Sequence, residues 1–204
     1  NGSGSFLLHA QTANLTNCLV AAGGDISITG NSAVLTSNVV LQAGRSLAFQ
    51  VTNSLTDGGL TCSNFWVVGS TNGNGGNGLM LTVKPLTGDL LGTSITNYVP
   101  GPNKQVSGIW AGEDRGVSAS GYTNNAALGR LILDALGNSS SFKFSGISAS
   151  NALYVDYLEL RDSATNIDGN GNLSALTLNT NMVIYYAQAV MNGFSVADRL
   201  NHQN

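Results

Sequence analysis

Residues 24–53 read GDISITGNSAVLTSNVVLQAGRSLAFQVTN, and their spacing decides the fold. Ile26 and Ile28 return 21 positions later as Leu47 and Phe49, and between them lies a second apolar set, Val39-Val40-Leu41. Working outward, Val39-Val40-Leu41 is preceded 21 positions earlier by Cys18-Leu19-Val20 and followed by Leu60-Thr61-Cys62. Phe6-Leu7-Leu8 stands 20 positions before Ile26-Ser27-Ile28, and Trp66-Val67-Val68 stands 19 after Leu47-Ala48-Phe49. Strand-length pieces recurring at a fixed period near twenty, with Gly, Asn and Ser corners, predict a coil of stacked rungs. Gly23-Gly24, Gly30-Asn31, Gly44 and Gly58-Gly59 supply the corners, because Gly and Asn turn a strand tightly at positive φ. An antiparallel meander would use the same short strands and turns.

The expected fold class is all-β: a right-handed parallel β-solenoid leading into a β-sandwich-like or wider-rung C-terminal part, with one short terminal helix. Solenoid rungs are expected over 1–70 and a β-rich C-terminal module, possibly continuous with them, over 71–204. The turn-forming stretch 71–78 marks the boundary. Strands are expected at Leu79–Val83, Leu128–Leu133, Phe142–Ile147, Leu153–Leu160 and Met182–Ala189. Alternation puts Leu153, Val155 and Tyr157 on one face of their strand and Tyr154, Asp156 and Leu158 on the other. Ser195 to Asp198 fits a capping box opening the terminal helix, and 97–119 reads as a long loop.

The surface is polar without being ionic. Charged residues make up 9% of 204, against about a quarter in ordinary soluble domains, while hydrophobic residues reach 42%. That hydrophobic content excludes disorder. A net charge of −3 with eight scattered Lys and Arg excludes a nucleic-acid footprint. No apolar run approaches the roughly 18 residues a membrane span needs, so the chain is not membrane-spanning. The ends, Asn1-Gly2-Ser3-Gly4 and Asn201-His202-Gln203-Asn204, read as those of a piece of a longer protein. Two cysteines, Cys18 and Cys62, fall two rungs apart in this register. At about 4.8 Å per rung their separation of ~10 Å exceeds disulfide reach, so two free, buried thiols are expected.

One group of motifs carries a resemblance. Asn124-Asn125-Ala126-Ala127, Gly129-Arg130-Leu131, Phe142-x-Phe144-x-Gly146, Asn151-Ala152-Leu153-Tyr154-Val155-Asp156-x-Leu158-Glu159-Leu160 and Ile184-Tyr185-Tyr186-Ala187 together resemble the C-terminal module of large secreted, adhesin-like (autotransporter-type) β-repeat proteins of environmental bacteria. The likeness covers about the last hundred residues. It implies an extracellular or bacterial cell-surface location and carries no catalytic residues with it.

Three patterns could carry chemistry. Trp110, Tyr98 and Tyr122, with Glu113 and Asp114, could bind glycan: an indole or phenol stacks on a pyranose and a carboxylate takes its hydroxyls. Adjacent carboxylates point to opposite faces of a strand, so this pair does not make a glycosidase. Asp168, Asn170 and Asn172 match the first half of a calcium loop, but Leu173 and Asn179 occupy the positions that need Gly and Glu, leaving a solvated turn or a structural calcium as the only possible cofactor. His9 and His202 stand alone, so neither a Ser-His-Asp arrangement nor a zinc site has its parts. The function expected is a non-catalytic structural or adhesive module, a stalk, fibre or filament subunit of a bacterial surface protein. Its partners would be itself, through end-to-end or edge-strand assembly, or a cell-surface or extracellular glycan. A glycan-binding module and a polysaccharide-active β-helix enzyme are the alternatives.

Overall fold

The computed structural model describes residues 3–59, 63–69, 76–136, 139–196 and 200. Strands come in pairs, one for each circuit of the chain. The circuits are β1 (Phe6–Leu15) with β2 (Cys18–Ala22), β3 (Ile26–Leu35) with β4 (Val39–Ala43), β5 (Leu47–Asp57) with β6 (Asn64–Val68), and β7 (Gly76–Leu81) with β8 (Asp89–Tyr98). After them come β9 (Gln105–Trp110) with β10 (Ala127–Asp134), β11 (Ser141–Gly146) with β12 (Asn151–Arg161), and β13 (Leu176–Leu178) with β14 (Met182–Met191). The odd-numbered strands β1 to β13 form one seven-stranded sheet, and the even-numbered strands, with β15 (Phe194–Ser195), form an eight-stranded one. Within each sheet every strand from β1 to β12 pairs in parallel with the strand two further on, so the meander is excluded. Among the described strands only β15 turns back, antiparallel to β14. The part after residue 70 continues both sheets in the same parallel pairing, so it is a set of wider circuits and not an antiparallel sandwich.

The early register follows the sequence period: Phe6 pairs with Ile26, Ile26 with Leu47, and Cys18 with Val39. The third circuit departs from it. Leu41 pairs with Trp66, 25 positions on, so β6 is the described strand that succeeds β4; Leu60-Thr61-Cys62 lies outside the described residues. Likewise Leu47 pairs with Leu79, and Trp66–Val68 lies in the opposite sheet from Leu47–Phe49. The extra residues are absorbed at corners, where chain length is unconstrained by the ladder. One buried side chain fixes this corner: Asn64 donates to Leu35 O (2.7 Å) and accepts from Val39 N (2.9 Å).

The core lies between the sheets as vertical ladders. Val20, Leu41, Trp66, Ile95, Leu131, Leu158 and Ala189 are successive register partners, and all after Val20 are buried. Phe49 reaches across to stack on Trp66 with ring centroids 4.9 Å apart. Burial of one such side chain is worth roughly 1.5–3 kcal/mol. Polar ladders run outside. Asn38 donates to Asn17 (2.9 Å), both with positive φ, and Thr16 donates to Thr36 (2.8 Å).

Three expectations need correction, and a fourth falls mostly outside the described residues. Residues 97–119 are not one loop, since β8 extends to Tyr98 and β9 supplies Trp110. β12 is not half-buried by simple alternation: Leu153, Tyr154 and Val155 are all covered, because a loop lies over the outer face. Cys18 is a free thiol but only partly buried, being on an end strand; Cys62 lies outside the described residues. Most of the expected terminal helix, 197–199, also lies outside them, although Leu200 N bonds to Val196 O (3.2 Å).

Candidate functional site

The crossing from β9 to β10, residues 111–126, is dense in polar side-chain contacts. It leaves the core at Trp110 and folds over the outer face of the even-numbered sheet. A second apolar cluster sits there, made by Ala127, Ala152 and Tyr154 with Leu91, Tyr122 and Tyr185 against it. Tyr154 stacks on its register partner Tyr185 at 4.8 Å, and Tyr122 meets it edge-on at 5.4 Å. The Tyr154 hydroxyl accepts from Arg115 N (2.9 Å) and donates to Gly116 O (2.7 Å), tying loop to sheet. Gly121 is required beneath it, because a Cβ there would stand 2.0 Å from the Tyr154 ring.

Loop closure uses the expected acidic pair. The Asn125 side chain accepts from Glu113 N (2.7 Å) and donates to Glu113 O (2.9 Å) and Gly121 O (3.1 Å). Arg115 Nη1 donates to Ser120 O (2.9 Å) and Thr123 O (2.8 Å). The Glu113 carboxylate takes Lys84 Nζ (2.9 Å) and Arg115 Nη2 (3.3 Å), and these two cations, Lys84 foremost, hold it below the usual carboxylate range. Asp114 accepts from Gly116 N (2.9 Å) in a tight turn. Burial first, and then Asp114 beside it, raises the Tyr185 phenol. Burial, with Asp156 nearby, pushes Tyr122 up to about 12, and its hydroxyl donates to Val155 O (3.1 Å). These polar groups are therefore spent on holding the loop.

The five glycan candidates do not converge. Glu113, Asp114 and Tyr122 share this loop. Trp110 is 1% exposed in the core, where its indole packs as an apolar plate. Tyr98 stands at the end of β8, beside a cleft of about 590 Å³ lined by Ala21, Gln42, Gly44 and Val67. Instead the structure assembles Tyr122, Tyr154 and Tyr185 around a smaller cleft of about 240 Å³. Tyr154 and Tyr185 were findable in principle, since their spacing of 31 is one wide circuit. That circuit's length, however, is set by corners that the early period of 21 does not describe.

At the expected cation turn, Asp168 Oδ1 accepts from Asn170 N (2.8 Å) and Asn172 N (2.9 Å), and these amides, Asn172 first, hold the carboxylate low. Asp168, Asn170 and Asn172 thus form a hydrogen-bonded turn. Among the described residues no group of three His, Cys, Asp or Glu side chains could hold a metal ion, and no helix is long and apolar enough to cross a membrane. Comparison with protein-family models, with curated proteins and with solved structures finds no match to this chain.

Proposed function

We propose that the chain is a non-catalytic structural module, a right-handed parallel β-solenoid serving as a stalk or fibre unit of an extracellular or bacterial cell-surface protein. The observation that carries this reading is where the polar side chains are spent. Asn64, Asn125, Arg115, Glu113 and Asp168 each hold a corner or a loop, while the inward positions form continuous apolar ladders. A rigid spacer needs such a stack and little else, because each circuit is held by its neighbours. A surface with few ions suits a role without electrostatic steering. Incubation with plant, algal and microbial polysaccharides, read by release of reducing ends, tests it. A structural module releases none, and turnover of any of them overturns the proposal.

Glycan binding is the second reading, favoured by one feature: Tyr98 beside a cleft whose lining is uncharged and includes the exposed Gln42. A phenol face and an amide suit a neutral sugar. A glycan array comparing the wild type with Tyr98→Ala decides it. Binding that the substitution abolishes makes the module adhesive, and silence across the array ends this reading.

A further inference from the structure

One column of the even-numbered sheet changes character partway along the stack. Ala21, Gln42 and Val67 are register partners on its outer face. At the strand ends beside them, Gly23, Gly44 and Gly69 follow Ala22, Ala43 and Val68, which are register partners too. In the next circuits the place of these glycines is taken by Tyr98, Asp134 and Arg161. Three circuits without a side chain thus meet three with long ones. Close approach of backbones requires the glycines: a Cβ on Gly44 would stand 2.3 Å from Gly23 O, and one on Gly69 2.8 Å from Gly44 O. They leave a trough parallel to the stack axis. Tyr98 closes it, with its hydroxyl 2.8 Å from where a Gly69 Cβ would be.

The polar groups of this trough differ from those of the 111–126 crossing, which are committed to holding their loop. Among the described residues, neither the Gln42 side chain nor the Tyr98 hydroxyl is taken up by a hydrogen bond of the fold. Gln42 is exposed and Tyr98 half-buried. Among the described residues no charged side chain lines the cleft. Asp25 and Arg45, which follow Gly23 and Gly44 in the chain, neutralise each other across 2.6 Å. The volume of about 590 Å³ falls within the roughly 300–1,000 Å³ of small-molecule sites. From Ala21 to Tyr98 the trough crosses three steps of about 4.8 Å each, so a ligand that fills it is elongated. Its wall stands in the fourth circuit, inside the stack. Any circuit before β1 would lengthen the trough without moving that wall.

We infer that this trough takes the end of an unbranched, neutral glycan chain, laid along the stack axis with its terminal sugar against Tyr98. The phenol presents a face to the C–H groups of that sugar and a hydroxyl at its rim. The Gln42 amide offers both a donor and an acceptor to hydroxyls further along the chain. A pyranose in an extended chain advances about as far as one circuit does, so successive sugars lie over successive circuits. A sulfated or uronic chain would lose water from its charges and find no cation in the lining to replace it. The inference rests on the glycan-binding reading and deepens it, by fixing the class of glycan, its direction and the part of the chain that is held.

Glycan-array hits supply the probes: soluble oligosaccharides of the same repeat and increasing length, free or capped at either end, titrated calorimetrically into the whole chain. Affinity is expected to rise with each sugar up to about the third or fourth, one per circuit crossed, and then to level. A cap on one end abolishes binding and a cap on the other does not. Tyr98→Ala weakens the longest probe at least about tenfold, the effect of losing a stacking face and a hydrogen bond. Ala21→Trp, at an exposed position far from the wall, lowers long probes to the affinity of shorter ones and leaves short probes unchanged. That variant keeps Tyr98, so the test stands even if Tyr98→Ala fails to fold. The inference is overturned by hits confined to charged glycans, by equal binding of probes capped at both ends, or by a length dependence that Ala21→Trp leaves intact. A silent array ends the glycan-binding reading itself, so the two failures are distinguishable.

Discussion

At Gly30 the backbone of β3 passes so close to β1 that a Cβ would lie 1.8 Å from Ala10 O, at φ +154°. The β3–β5 register shifts at the same place, between Gly30 and Ser32. A side chain there must push two paired strands apart, so Gly30→Ala is expected to cost roughly 2–3 kcal/mol in urea unfolding. Gly169→Ala, with open space around it and ordinary φ, is expected to be neutral. Asn64 makes the complementary case from hydrogen bonding. Its amide satisfies Leu35 O and Val39 N inside the core, and Asn64→Ala orphans both. At about 1–3 kcal/mol for a buried group left unpaired, a loss of roughly 2–4 kcal/mol is expected in the same melts. A loss under 1 kcal/mol would mean that the corner rearranges to repair itself.

Among the elements, β10 and β12 carry a partly buried ion cluster. Glu159 is 7% exposed between Arg130 and Arg161, and Arg130 also lies over the Tyr157 ring, 4.9 Å from its centroid. Burial acts to raise the Glu159 carboxyl, but hydrogen bonds from Arg161 and Arg130 outweigh it and hold the group below 4.5. A depressed carboxyl contributes stability that is complete above its unfolded value and lost as pH falls through its folded one. The wild type should therefore lose melting temperature on acidification below about pH 4.5, and Glu159→Gln should show a shallower loss over that range. Asp57, raised by burial before its Thr93 bond is counted, works in the opposite sense: its ionised form is disfavoured in the fold. If Glu159→Gln leaves the acid limb unchanged, the ion cluster does not set acid stability.

At the scale of the whole molecule, a stack of circuits is stabilised by neighbour on neighbour, so its ends should open before its middle. Amides of β1 and β2, with half-covered side chains, are expected to exchange hydrogen fastest among the paired strands, and those of β8, β10 and β12 slowest. Native-state hydrogen exchange measures this directly. Uniform protection from β1 to β14 would show a single cooperative unit.

The residues alone carry the register of the first strands, because their corners are short and the period of 20–21 is the spacing of parallel partners. Phe6, Ile26 and Leu47 are one ladder in sequence and in space. Local chemistry also suffices for the Asp168 turn, whose bonds span only four residues. Beyond residue 57 the corners lengthen unevenly, and corner length is invisible to periodicity since no ladder constrains it. Which strand follows β4, where Trp110 goes, and which tyrosines meet over β12 were therefore decided by packing. Trp110 reads as a loop aromatic, either a sugar platform or an anchor of its loop to the core, until β9 places it between the sheets. Tyr154 reads as one face of an amphipathic strand until the 111–126 crossing covers that face. Sequence dictates a side chain's direction from its immediate neighbours in the chain. What comes to cover it is supplied by segments tens of residues away, and only the folded stack brings those together.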